Sequence, residues 1–256
     1  MKSREAEQSL TPERSILDAP TLLVEFIGAF AFTYVSCWTV VWRETSDLSF
    51  VLGCLAPALV LICLTAFGGH LSGGHFNPAI TIGLSVIKKL DWSSAVFYVT
   101  AQFLGGLTAG GFVFIQLDPT LAKRISESNP IGLPLPGSDT HSVGPFWGEL
   151  IGCIFLMYIF LSAAEHSKPL LFGLAYFFLA ATLGEIGGGS FNPVRALGPA
   201  IIIGKVGSVQ FMQLLGPLVG CICAALVHNS MFSDDDEDLS VEEEHKEKQP
   251  LNAEVS

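Results

Sequence analysis

The chain has 256 residues, half of them hydrophobic and 14% charged, against about 25% charged in an average soluble domain. Its formal net charge of −11 is local: between Ser233 and Ser256 ten acids face two lysines, which accounts for −8. The rest is nearly neutral, with no basic surface for a nucleic-acid partner and too few polar residues to cover a soluble core of this size.

In chain order, residues 1–18 are polar and mixed in charge, and read as an N-terminal tail without a cleavable signal. Six apolar runs follow: Ala19–Trp42, Phe50–Gly68, Trp92–Leu117, Val143–Ala164, Pro169–Gly184 and Gly207–Val227. Each is close to or above the ~18–20 residues that cross ~30 Å of hydrocarbon. The only charged residues within them are Glu25 and Glu149. The expectation is an all-α membrane protein with six transmembrane helices, its partners being the lipid bilayer and whatever passes through it. The six cysteines (Cys37, Cys54, Cys63, Cys153, Cys221, Cys223) lie inside apolar segments and read as small packing residues. They form neither a disulfide framework nor a metal-ligand pattern, and no cofactor is implied. Residues 118–144 are rich in Pro, Ser and charge and read as a surface connection on the outer side. Residues 233–256 read as an acidic, disordered cytoplasmic tail.

The chain repeats itself in order. "VEFIGAF" at Val24 answers "GELIGCI" at Gly148, "HFNPAI" answers "SFNPVR", and "AQFLGGLTAG" at Ala101 answers "MQLLGPLVGC" at Met212. This divides the chain into a first repeat, 19–117, and a second, 145–232, with three spans each. Because three is odd, the second repeat enters the membrane from the opposite side, making an inverted repeat. With both termini cytoplasmic, eight Lys and Arg fall on the inner segments and four on the outer ones, Arg195 set aside.

Within each repeat lies a glycine-preceded Phe-Asn-Pro box. The apolar stretches after it, 77–87 and 192–204, are too short to span and read as re-entrant half-helices. Asn is a good N-cap and Pro a good first helical residue, so each box starts a helix. Irregular backbone at membrane depth is tolerated where it is buried or lines a water-filled path. Two half-helices entering from opposite faces and pointing their N-termini at each other therefore suggest a pore.

The six spans, the inverted repeat and the duplicated box resemble the aquaporins, or major intrinsic proteins, over roughly residues 19–232. The resemblance implies a bundle of six helices plus two half-helices, a passive channel that is not an enzyme, and a homotetramer with one pore per subunit. It places Asn77, Pro78 and Ala79 with Asn192, Pro193 and Val194 at the pore centre, where the two Asn amides donate to the passing molecule. It places Arg195 at the outer constriction, with Ala180, Gly189 and Pro57 at the other positions of that ring. Gly73, Gly74, Gly187 and Gly188 would offer carbonyls along the path. His70 and His75 either line the inner mouth or are packed, hydrogen-bonded histidines. Glu25, Glu149, Gln102 and Gln213 read as buried polar groups that tie loops to helices.

The departures bear on substrate. Water-selective members place an aromatic and a histidine at two of the ring positions held here by Pro57, Ala180 and Gly189, so the outer gate should be wide and less polar. Against a glycerol channel, Ala196 stands where glycerol-conducting members carry Asp. Val194 replaces the usual Ala, and its two extra methyl groups are expected to narrow or tilt the centre. The expectation is water conduction with leakage of small neutral solutes (glycerol, urea, ammonia, hydrogen peroxide), ions and protons being excluded. The cysteine that confers mercury sensitivity on many members falls at Gly189, so mercurials should act weakly unless Cys54 or Cys63 faces the pore.

Other classes fit less well. A membrane enzyme lacks a nucleophile with a base. An ion channel would need a ring of acids, not Arg195 and two positive helix ends. A structural or junctional protein on this fold is the alternative, separable by osmotic permeability. In the tail, Ser233 precedes Asp234–Asp236 and Ser240 is followed by Glu242–Glu244, a setting for acid-directed kinases. The plainer reading is a solvated tail without a switch.

Overall fold

The computed structural model describes residues 18–45, 49–118, 120 and 133–247, with the backbone alone at 44–45 and 233–247. Its described residues form helices α1 (Ala19–Thr45), α2 (Phe50–Ser72), α3 (Pro78–Val86), α4 (Trp92–Gln116), α5 (Gly144–Ser162), α6 (Lys168–Gly187), α7 (Pro193–Ile202) and α8 (Ser208–Glu247). Six are long and apolar enough to cross a membrane, with spans Ala19–Arg43, Phe50–Ser72, Trp92–Gln116, Gly144–Ser162, Lys168–Gly187 and Ser208–Phe232. The two short ones, α3 and α7, are the half-helices. Each begins at its Asn-Pro: Asn77 and Asn192 are extended N-caps whose side-chain oxygens accept from the N–H of Ala79 and Val194. At the start of α4, Asp91 accepts from the Ser94 N–H at 2.9 Å. The hydroxyls of Ser93 and Ser94 help hold that exposed carboxyl at about 2.

The packing has the pseudo-twofold symmetry of an inverted repeat. α1 packs on α4 and on α2, as α5 packs on α8 and on α6. The half-helices cross over, α3 against α8 and α7 against α4. Glycines at corresponding places permit the crossing. A Cβ on Gly83 of α3 would lie 3.2 Å from the Cys221 carbonyl oxygen, and one on Gly198 of α7 would lie 2.6 Å from the Gly106 backbone. Close backbone approach through small residues is how helices associate where lipid is as apolar as the side chains.

The loops before the boxes are also duplicated, residue by residue. Gly73 and Gly188 end α2 and α6 in the left-handed conformation, and Gly74 and Gly189 follow with φ of 69° and 66°. Phe76 and Phe191 then adopt φ of 49° and 48°, which costs energy in any non-glycine residue. Two buried carboxylates hold them there. Glu25 accepts from the N–H of His75 (3.0 Å) and Phe76 (2.7 Å), the Ser72 hydroxyl (2.6 Å) and the Gln102 amide (2.7 Å). Glu149 accepts from the N–H of Ser190 (2.8 Å) and Phe191 (2.5 Å). One turn after each glutamate a glycine makes room for the phenylalanine ring: a Cβ on Gly28 would lie 2.0 Å from Phe76, and one on Gly152 2.1 Å from Phe191. Thus Glu-x-x-Gly in "EFIG" and "ELIG" is a socket for the residue before each Asn.

Two expectations need correction. The connection at 118–144 is not wholly a surface segment: Leu133 is buried, and the Pro134 carbonyl accepts from the Gln213 amide. The Gly137 N–H and the Thr140 hydroxyl both donate to the Glu185 carbonyl at 2.7 Å, which pins this stretch over the end of α6. The tail is not irregular from Ser233, because α8 continues to Glu247. Residues 221–247 contain neither Gly nor Pro, and Glu242 and Lys246 stand four apart, so nothing stops the helix there. The side chains of Ser233 and Ser240, and residues 1–17 and 248–256, lie outside those described.

Glu149→Ala leaves two buried N–H groups without acceptors, at about 1–3 kcal/mol each. We expect it to lower the thermal unfolding midpoint in detergent clearly. Glu165→Ala should leave it unchanged, because that carboxylate is 85% exposed in a surface pair with Lys168.

Candidate functional site

The two boxes touch. The Asn77 amide nitrogen donates to the Phe191 carbonyl at 2.8 Å, and the Asn192 amide nitrogen to the Phe76 carbonyl at 2.9 Å. An Asn amide has two N–H donors and one carbonyl oxygen. In each box the oxygen caps its own half-helix and one N–H crosses to the other box. One donor per Asn remains, and both residues border a shared cavity of about 10 Å3. That is at the threshold of ~10–15 Å3 for a single water. Each half-helix N-terminus also brings roughly half a positive charge to this point.

A second cavity, of about 40 Å3, lies against Arg195 and brings together Pro57, Ala180 and Gly189. Arg195 is buried and donates to the Ser36 carbonyl of α1 at 3.3 Å. A third, of about 300 Å3, is bounded by His70, Gly73, Glu165, His166 and Lys168. The three follow one another along two helices. On α2, Gly53 and Pro57 border the Arg195 cavity, Leu61 the central one, and Thr65 and Gly69 the large one. On α6, Lys168 borders the large cavity, Phe172 the central one, Tyr176 both the central and the Arg195 cavity, and Ala180 and Gly184 the Arg195 cavity. Both series step by four residues, so each is a stripe inclined to its helix axis and running beside a single path. Pro57 has no N–H and leaves the Gly53 carbonyl, beside the path, without its helical donor.

The remaining sequence-derived residues fall as follows. Pro78, Ala79, Pro193 and Val194 are buried in the first turns of the half-helices. Val194 does not crowd the centre: its methyl occupies the space a Cβ on Gly106 would need, 2.0 Å away, so a glycine of α4 absorbs the extra bulk. Gly188 and Gly189 border the Arg195 cavity. The Gly187 carbonyl is taken by the Gln213 amide at 2.8 Å, so it is not one of a ladder of open acceptors. Gly74 is packed within 3.2 Å of Gly69, measured from where its Cβ would stand. His75 borders the central cavity while its Nδ1 lies 3.1 Å from the Thr81 hydroxyl, so it is both lining and packed. Gln102 joins Glu25 to Thr81, and Gln213 joins Gly187 to Pro134.

Sequence reasoning missed Phe32 and Tyr176, and named Cys54 only as a thiol that could face the path. Both sit in ordinary apolar stretches; Phe32 on α1 has no sequence signal, and Tyr176 is marked only by its four-residue spacing from Ala180 on α6. That spacing becomes informative once one member of the series is anchored.

The model of the family described as "Major intrinsic protein" matches residues 14–228. The chain is 31% identical to "Glycerol uptake facilitator protein-like 6" of Lactiplantibacillus plantarum, over 83% of this chain and 98% of that one. It is 29% identical to "Nodulin-26" of Glycine max, over 89% and 84%. It is 28% identical to "Probable aquaporin NIP4-2" of Arabidopsis thaliana, over 83% and 75%. Among solved structures, the aquaglyceroporin from Plasmodium falciparum shares the fold with a TM-score of 0.70 at 22% identity, covering 82% of this chain and 95% of that one. The chain therefore belongs to the major intrinsic protein family of multi-pass membrane channels, which are passive conduits and not enzymes.

Proposed function

We propose that the chain conducts water, and small neutral solutes with it, while excluding ions and protons. The carrying observation is the pair of Asn amides on one water-sized cavity, each with a single N–H left to give. A water entering there accepts from both, so its own hydrogens point along the path in opposite directions and a proton relay is interrupted. Hydronium and metal cations meet two positive helix ends and then Arg195, with low-dielectric walls around them. Asn77 and Asn192 are thus the central donors, and Arg195 with Ala180, Gly189 and Pro57 forms the outer ring.

That outer ring does not restrict passage to water. Its cavity of about 40 Å3 holds several times the volume of the central one, and Ala180, Gly189 and Pro57 present no side-chain donor to it. Its relatives include a probable aquaporin and a glycerol uptake facilitator-like protein, which supports a reading that includes both water and small polar solutes. The family resemblance supports a homotetramer with one path per subunit. The Lys and Arg distribution supports cytoplasmic termini in a plasma or intracellular membrane. Phosphorylation at Ser233 and Ser240 is compatible with the acidic run around them.

Stopped-flow light scattering of proteoliposomes tests the central reading. Vesicles with the chain should shrink faster than bare lipid and pass urea and, more slowly, glycerol. Full exclusion of both solutes contradicts the small-solute part of this reading. Asn192→Asp, which replaces a donor with an acceptor, should cut water permeability severalfold. Arg195→Ala should keep water flux and admit cations, read as an ionic leak in the same vesicles.

Thiol chemistry offers an independent check. Gly189 carries no sulfur, Cys63 is exposed, and Cys54 borders the outer cavity beside Pro57 and Arg195. A small organomercurial should block water flux in the wild type and fail in Cys54→Ser. Equal block in both contradicts the lining of that cavity.

A further inference from the structure

Among the residues bordering the two cavities, Tyr176 alone belongs to both the outer and the central one. It stands four residues before Ala180 on α6, so it occupies the same helix face about 6 Å nearer the two boxes. Its ring is braced edge-on by Phe32 at 5.2 Å and by Phe191 at 5.9 Å. Its hydroxyl donates to the Gly189 carbonyl at 3.1 Å. Phe191 is itself fixed by Glu149, so the ring has no slack on that side. The outer ring has lost bulk at Ala180 and Gly189, and a large rigid side chain stands one turn further in.

We infer that Tyr176 is the specificity-determining residue of this path: it is the partition between the outer and central cavities and sets the largest solute that crosses. The open ring at Arg195 then works as a vestibule, and size selection is made inward of it, beside the packed pair of Tyr176 and Phe32. The phenol suits the task. Its donor is spent on Gly189 and its oxygen keeps lone pairs for a passing N–H or O–H, so it narrows the path without closing it to a hydrogen-bonding molecule. Water and urea slip past the ring edge, while a three-carbon polyol is slowed by it.

This inference rests on the conduction reading above, and the test separates the two. Water and glycerol permeabilities would be measured for the full chain and for Tyr176→Phe, Tyr176→Leu and Tyr176→Val in the same lipid. The glycerol-to-water ratio should rise about tenfold in the Val and Leu variants and stay close to wild type in the Phe variant, which keeps the ring. A ratio unchanged in a Val or Leu variant that still conducts water overturns the inference. So does a Phe variant whose ratio rises as far as that of Val, because selection would then lie in the hydroxyl bond to Gly189. If neither Val nor Leu yields a conducting protein, Tyr176 serves to hold the fold and the inference also falls. Wild-type vesicles no more permeable to water than bare lipid would instead defeat the conduction reading itself. The ratio is insensitive to how much protein inserts, which a merely structural loss would change.

Discussion

The structure depends on two carboxylates inside a membrane protein holding two short stretches of backbone in a conformation that backbone avoids. Phe76 and Phe191 sit at positive φ without being glycine, and Glu25 and Glu149 accept the N–H groups that this conformation turns inward. A carboxylate at that depth is expensive, and it is tolerated because donors surround it: four at Glu25, and two backbone N–H groups at Glu149. The hydrogen bonds between backbone and carboxylate offset both the strain of the one and the desolvation of the other. With the backbone so held, the carbonyls of Phe76 and Phe191 reach the opposite Asn amides, and the two boxes are joined.

From that junction the rest follows by packing. Half-helices that meet tip to tip must each lie against the third span of the other repeat, which requires backbone to touch backbone at Gly83 and Gly198. The glycine at 106 both admits α7 and absorbs a methyl group of Val194. The path is then what remains between α2 and α6, lined every fourth residue. In the proposed reading Pro57, Ala180 and Gly189 leave it open near Arg195, and the aromatic pair Tyr176 and Phe32 narrows it further in.

Much of this was legible in the sequence because it is local or duplicated. Spans declare themselves by length and lack of charge, and half-helices by Asn-Pro before an apolar run too short to cross. Repetition of "EFIG" as "ELIG" was visible, but its purpose was not, since neither the φ of Phe76 nor the place of its ring can be read from one segment. Val194 was misjudged for a related reason: whether two methyl groups narrow a path depends on Gly106, almost ninety residues earlier in the chain. Gly187 was expected to offer its carbonyl to the path, and it is instead taken by Gln213 from the far end of the second repeat. The loop at 133–140 looked polar and exposed, yet tertiary hydrogen bonds draw it inward. Tyr176 carried no local mark at all, because its role comes from facing two cavities.

The central claim is that one water at a time is held between two amide donors and cannot hand on a proton. Osmotic water flux and proton flux measured in the same vesicles test it most directly. Water flux should lie well above that of bare lipid, with proton flux no greater than the lipid background. Proton flux that rises in step with water flux would contradict it, since the column of water would then run unbroken past Asn77 and Asn192.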